Sequence, residues 1–423
     1  MPHDKANLDN AVDMSNLYCT INYSEEWAQI FDEAWRAFRD GFYLENMHGV
    51  DWKAIHDRYA QLLPYVKNRL DLTYVIGGMI SELACGHAYV DGGDEITPRR
   101  SYTGMLGAVL KPEGKYFRIE KIYAGAPDRA SLRSPLLDQG LNIKVGDYIT
   151  AVNGVSTATT ANIYSLLDGC ADVLTELTIN TTAAEGGRKV VVKPISDEYP
   201  LVHYEWIQRN IATVNKLSDG RIGYIYIPDM GPEGLNEFAR YYYPQVDKEA
   251  LIIDDRANGG GNISPMVIER LLRRPYRMTM YRGRSLNGIV PDKTHYGPKA
   301  LLVNKYSASD GDLFPWSFKE NKIGTVIGTR SWGGIIGISG SLPYIDGTDI
   351  RVPFFTNYDT RGNWIVENHG VDPDIVIDND PAREFAGEDQ QLIKAVEVLL
   401  EQLKQRKPLP ATPAPRTLKD LGM

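Results

Sequence analysis

Tyr306-Ser307-Ala308-Ser309-Asp310-Gly311-Asp312-Leu313-Phe314 joins the apolar run Ala300-Leu301-Leu302-Val303 to a segment with helical spacing over residues 313–319. A short apolar run bounded by turn residues predicts a buried strand, so the stretch is a strand-to-helix turn. A serine there projects from the carboxyl end of a strand, and the first amides of the helix favour negative charge beside it. Ser309 or Asp310 would serve equally well as a plain helix N-cap, which is common before any helix. The rest of the chain has to decide between a nucleophile and a cap.

Outward from the turn the same alternation repeats. Residues 221–227, 251–254, 300–303 and 325–327 read as strands, and residues 233–243, 263–273 and 313–319 as helices. Stacked βαβ units of this kind build a mainly parallel sheet whose sites lie beyond the carboxyl ends of the strands. Two further stretches fall at such ends. In Asp254-Asp255-Arg256-Ala257-Asn258-Gly259-Gly260-Gly261-Asn262, three glycines let backbone amides approach a ligand closely, as an oxyanion hole requires. The run lacks the Gly-Lys-Ser/Thr ending of a phosphate loop. In Trp364-Ile365-Val366-Glu367-Asn368-His369-Gly370, Glu367 closes an apolar strand; alone it reads as an exposed turn carboxylate, with His369 as a solvated turn histidine.

Before this α/β region, residues 1–23 have little periodicity and read as a strap. Helices follow from residue 24, with Ser24 as capping candidate, over 51–63 and over 71–83. Residues 24–98 thus form a small helical subdomain, containing Cys85-Gly86-His87-Ala88-Tyr89-Val90, where His87 alone reads as a surface or C-cap residue. Residues 99–199 are rich in strands, with an Asn153-Gly154 hairpin turn. Residues 200–408 hold the α/β domain, ending in an amphipathic helix over 390–403, and residues 409–423 form a Pro-rich tail expected to be disordered.

The formal charge of −9 over 423 residues, with no basic block, argues against a nucleic-acid surface. Three scattered cysteines form neither a disulfide framework nor a zinc site, so no metal and no cofactor is expected. No run approaches a membrane span and the first ten residues lack the apolar core of a signal peptide, so the expected location is the cytoplasm, or outside it if a longer natural N-terminus precedes this sequence, with no membrane partner.

The block 99–199 resembles a PDZ domain, whose Gly-Asp-x-Ile-x-x-Val-Asn-Gly signature stands at residues 146–154. Its carboxylate-binding loop would be Gly104, Met105, Leu106 and Gly107, which implies binding of extended peptide ends. The order PDZ block, Asp-x-Arg-x-Asn-x-Gly-Gly, then Ser-Ala-Ser resembles the C-terminal-processing serine peptidases. Residues 306–312, 258–261, 329–334 and 367–374, with Met230-Gly231-Pro232-Glu233-Gly234, are closer still to the tricorn protease group of that clan. The resemblance implies a multidomain α+β and α/β fold: helical subdomain, PDZ-like β domain, and an α/β catalytic domain of the ClpP/crotonase-like sandwich type.

It also implies roles. The processing peptidases use a lysine where this chain has Gly334, so the base must come from elsewhere. His87 matches the histidine of the tricorn group and would be the general base for Ser309. Glu367 would orient His87 or sit in the wider catalytic network, and the amides of Gly260 and Asp310 would form the oxyanion hole, with Gly261 as neighbouring candidate. Substrates would be peptides or unfolded polypeptides, and the enzyme a homo-oligomer. Two departures stand out. Gly86 replaces the serine that often completes a tetrad. In the tricorn group an aspartate in the stretch after the glycine loop favours basic P1 residues, whereas residues 271–287 here carry Arg273, Arg274, Arg277, Arg282 and Arg284 and no acidic residue, so that preference is not carried over and an acidic or mixed one is the hypothesis. The archetype carries β-propellers before this portion; either the natural chain is longer than this sequence or this homologue works without them, and residues 1–23 would be the remnant of their connection. The rival readings are an inert PDZ-containing scaffold, favoured by Gly86, and an ester hydrolase, disfavoured by the missing Gly-x-Ser-x-Gly elbow.

Overall fold

The computed structural model describes residues 13–94, 98–126, 128–282, 288–340, 342–347, 349–407, 409 and 413–423. The chain forms two compact units, one of Met1–Ile96 with Gly333–Gly370 and one of Thr97–Trp332 with Val371–Met423.

The first unit is built on three helices, α1 (Tyr23–Gly41), α2 (Trp52–Ala60) and α3 (Arg69–Ser81). The cap of α1 is Asn22, whose side chain accepts from the Ser24 amide, and not Ser24 itself. Ile30, Phe31, Ala34 and Phe38 recur at helical spacing and bury one face of α1 against Leu72, Ile76 and Met79 of α3. Ile350 and Val352 complete this core, and the strand Tyr89–Asp91 pairs antiparallel with Asp349–Arg351. A buried Arg69–Asp346 ion pair ties the same two segments. Residues 333–370, expected within the α/β domain, therefore pack with the helical subdomain: two apolar side chains and a three-residue strand pair draw them there. Residues 1–12 of the expected strap lie outside the described residues, and residues 13–22 contain no helix or strand.

In the second unit, the PDZ-like sheet runs through Ala108–Glu113, Tyr116–Ile122, Tyr148–Val152, Thr175–Asn180 and Arg188–Val192, in that spatial order. Its core is Leu106, Ile119, Ile149 and Leu177. Asn153 and Gly154 both take positive φ, as a two-residue hairpin turn requires. Next comes α4 (Tyr199–Leu217), a long helix that the sequence reading did not anticipate.

The α/β part carries a parallel sheet in the order Ile375–Val376, Thr325–Gly328, Lys299–Val303, Ala250–Asp254, Ile222–Tyr226. Alternate residues of each strand point to opposite faces. Leu251, Ile253, Leu301 and Val303 pack against α5 (Pro232–Tyr242), α6 (Ser264–Leu272) and α7 (Asp310–Glu320). Ala250, Ile252, Ala300 and Leu302 pack against α4 and α9 (Gln390–Gln405), which follows the short α8 (Pro381–Phe385). Strands buried on both faces explain the continuous apolar runs of the sequence. In the tail, Lys419–Leu421 form a single 3-10 turn. Among the described residues no helix is long and apolar enough to cross a membrane, and no His, Cys, Asp and Glu cluster could hold a metal ion.

Candidate active site

The second unit brings Ser309, Asp310, Gly260 and Gly261 together at the carboxyl ends of Lys299–Val303 and Ala250–Asp254. Ser309 is the N-cap of α7 and has φ +58° and ψ −120°, a region that non-glycine residues rarely occupy. Such strain costs about 1–3 kcal/mol and persists only where the surroundings enforce it. Here the Ser309 amide donates to Asp312 Oδ2 at 2.9 Å, and the Ala308 amide to the Asn258 carbonyl at 2.8 Å. Ser307 is fully buried and donates to the Asp255 carbonyl at 2.8 Å, so the first serine of the pair is scaffold.

The glycine loop presses directly on this turn. Gly260 has φ +96°, and a Cβ added there would stand 2.5 Å from Ser309 Cβ and 3.0 Å from the Asp310 amide nitrogen. Asn258, absent from the residues read from sequence as functional, holds the loop. Its buried side chain donates to the Ile227 carbonyl at 3.1 Å and accepts from the Gly260 amide at 2.9 Å. The Gly260 N–H is thus already engaged. Among the described residues no hydrogen bond takes the amides of Gly261 or Asp310. Asp254 and Arg256, the polar ends of the motif, anchor the loop from below through a buried ion pair, which Arg256 extends to Asp389.

The Asp310 carboxylate points away from chemistry. It accepts from the Ser264 hydroxyl and, at 2.8 Å, from the Ser264 amide, capping α6. Burial raises its pKa and these bonds lower it. Burial also pushes Asp255 well above the carboxylate range, aided by its neighbours Asp254, Asp312 and Asp310.

In the first unit, His87 and Glu367 come together. His87 is 8% exposed, and burial lowers its pKa while the Glu367 charge opposes that shift. Both Glu367 oxygens are fixed by backbone: Oε2 accepts from the Ile335 and Ile336 amides at 2.7 and 3.2 Å, and Oε1 from the Gly86 amide at 3.4 Å. The backbone of Gly86 therefore reaches the carboxylate where a tetrad serine was missed. Cys85 rises to about 12 through burial and then the Glu367 charge, which leaves it an inert thiol.

The PDZ loop is less open than expected. Met105 and Ile195 exchange backbone hydrogen bonds of 2.7 and 2.9 Å, the Gly104 amide donates to the Leu167 carbonyl, and Leu106 is 1% exposed. Arg273 pairs with Glu269, Arg274 and Arg277 are exposed, and Arg284 lies outside the described residues. A groove of about 700 Å³ runs along the carboxyl ends of the strands, lined among others by Tyr123, Tyr199, Trp206, Tyr226, Ala257 and Tyr306.

Three family models match the chain: peptidase family S41 over residues 221–377, the tricorn protease C1 domain over 23–81 and the tricorn protease PDZ domain over 104–197. Tricorn protease homolog 1 of Streptomyces coelicolor is 35% identical over 400 residues, covering 93% of this chain and 37% of its own. The tricorn protease of Thermoplasma acidophilum is 32% identical over 415 residues, covering 98% and 38%. A crystal structure of the tricorn protease superposes with a TM-score of 0.81 at 33% identity, over 91% of this chain and 37% of that one. The chain spans less than two fifths of the length of these relatives.

Proposed function

Because this chain belongs to peptidase family S41, in its tricorn protease group, we propose that it is a serine peptidase in which Ser309 is the nucleophile and His87 its general base. The observation that carries the reading is the strained N-cap Ser309 with Gly260 packed against its Cβ. Strain at that point fixes the hydroxyl at a helix N-terminus, beside amides that no acceptor among the described residues uses.

In this mechanism His87 takes the Ser309 proton as Oγ attacks the scissile carbonyl. The developing oxyanion is held by the Asp310 amide together with the glycine pair. Gly261 offers an open N–H, and Gly260 would share its own with Asn258. His87 then returns the proton to the leaving amine, and water hydrolyses the acyl-enzyme by the same relay. Glu367 supports the imidazolium by charge, since its oxygens are bonded to backbone. Peptides and unfolded segments are the substrates that the family resemblance implies, and the groove of about 700 Å³ at the carboxyl ends of the strands, which Ala257 and Tyr306 help to line, has room for a peptide segment. A homo-oligomer is the assembly that the family resemblance implies.

The test is a fluorophosphonate probe followed by tryptic mapping. The phosphonyl group should fall on the peptide running from Tyr306 to Lys319, at Ser309 rather than at Ser307 or Ser317. No labelling, or labelling elsewhere, would favour the inert scaffold. For P1, the acid-free arginine stretch after the loop supports an acidic or mixed preference. Peptide-library profiling in which Lys or Arg dominates at P1 would reject it.

A further inference from the structure

The second half of the PDZ loop has a neighbour that the sequence did not disclose. Gly107 has φ +64°, and a Cβ added there would lie 2.8 Å from Ser134 Oγ and 3.0 Å from Leu201 Cδ1. Leu201, in the first turn of α4, is 1% exposed and packs with Ala126, Leu132 and Tyr123. One turn earlier stands Glu198, the N-cap residue of the helix, with Oε2 buried and, among the described residues, without a hydrogen-bond partner. Burial raises the Glu198 pKa, and the amides of Gly107 and Ala108 act against it by stabilising the ionised form. The same carboxylate also raises the pKa of Tyr164, on the short helix Ile163–Leu166, and of Tyr123.

This sets a carboxylate with a buried oxygen one helical turn before an aliphatic side chain that lies 3.0 Å from the Cβ position of the loop's Gly107. Those are the two groups that a peptide carboxyl terminus would present: the terminal carboxylate and its last side chain. We propose that the carboxylate site of the PDZ-like module is filled from within the chain by Glu198 and Leu201. Its external ligands are peptides that end in a free carboxylate after an aliphatic residue and displace the start of α4. The module is then a clamp on α4 before it is a recruiter of substrate. The clamp matters for the site, because the next turns of α4 carry Trp206, whose ring faces the Arg256 guanidinium at 5.6 Å, and Arg256 anchors the glycine loop.

An intramolecular ligand competes at an effective concentration of about millimolar. Removing it should tighten the binding of an external peptide by about tenfold or more. The experiment uses the full chain carrying Ser309→Ala, so that no peptide is cleaved and the readout is independent of the serine. A fluorescein-labelled decapeptide ending in Val-Leu with a free carboxylate, and its C-terminal amide twin, are titrated by fluorescence anisotropy. Glu198→Ala and the isosteric Glu198→Gln should each bind the free acid more tightly than the parent, by at least about tenfold for the alanine variant, and neither should bind the amide. Hydrogen exchange over residues 104–110 should accelerate in Glu198→Ala and slow again with the free acid. Equal affinity in parent and variants, or no carboxylate-dependent binding by either variant, overturns the proposal.

Discussion

Gly260→Ala should leave a folded protein whose peptidase activity is lower by about a thousandfold. The new methyl group would meet Ser309 Cβ at 2.5 Å, the Ala308 carbonyl at 2.8 Å and the Asp310 amide at 3.0 Å. Two of these are main-chain atoms of a turn already fixed by Asn258 and Asp312, so no side chain can swing away. Alanine at φ +96° adds strain of about 1–3 kcal/mol, which a domain of ordinary stability tolerates. Function has less margin. The loop must retreat from the nucleophile, and losing one oxyanion donor costs about 10²–10³ in rate, with misplacement of the serine adding to it. Gly259→Ala is the control, because nothing lies within 4 Å of its Cβ position and it does not take positive φ. It should stay within a few-fold of the parent. The pair is checked by kcat/KM on a fluorogenic peptide alongside thermal melts. A Gly260→Ala enzyme with near-parent activity would remove the loop from the catalytic machinery.

That contrast between adjacent glycines shows where sequence reading stops. Three glycines in a row announce a close approach, but which of them touches Ser309 depends on φ and on the distance to another segment. The parallel sheet was legible because strands buried on both faces are continuous apolar runs, as in Leu251-Ile252-Ile253 and Leu301-Leu302-Val303. Helix α4 was not. It turns Trp206, Ile207, Ile211 and Val214 to the sheet and Leu201 and Tyr204 to the PDZ-like side, so it has two apolar faces and no single stripe. The attachment of residues 333–370 to the helical unit was equally hidden, since it rests on strand pairs of three residues and on Ile350 and Val352. At the site, the strand-to-helix turn made Ser309 a candidate, but the turn alone reads equally as an N-cap, and the neighbouring motifs had to decide for the nucleophile. His87 and Glu367 could not, because a histidine after a glycine and a carboxylate in a turn carry no local pattern, and only the family resemblance joined them. Asn258 carries no signal for a related reason: an asparagine in a glycine loop reads as a turn former, which its bond from the Gly260 amide satisfies, while its bond to the Ile227 carbonyl, 31 residues away, has no local pattern.

The pairing of His87 with Glu367 gives substitutions at these two residues distinct signatures in the pH profile. His87→Ala should lower kcat/KM by about 10⁴ or more and abolish the acid limb of its pH profile, because the group that must be deprotonated is gone. In the parent enzyme that limb should lie below the ordinary histidine value of 6.5, since burial disfavours the imidazolium more than Glu367 restores it. Glu367→Gln then separates two roles. Removing the negative charge lowers the histidine pKa further, so the limb should move to still lower pH. The plateau should nevertheless fall by about 10–10³, because the imidazolium formed in the transition state loses its counter-charge. A purely structural carboxylate, holding the Ile335, Ile336 and Gly86 amides, would depress activity without moving the limb. A shift to higher pH would give Glu367 the wrong sign altogether, and an acid limb that survives in His87→Ala would hand the role of base to another group.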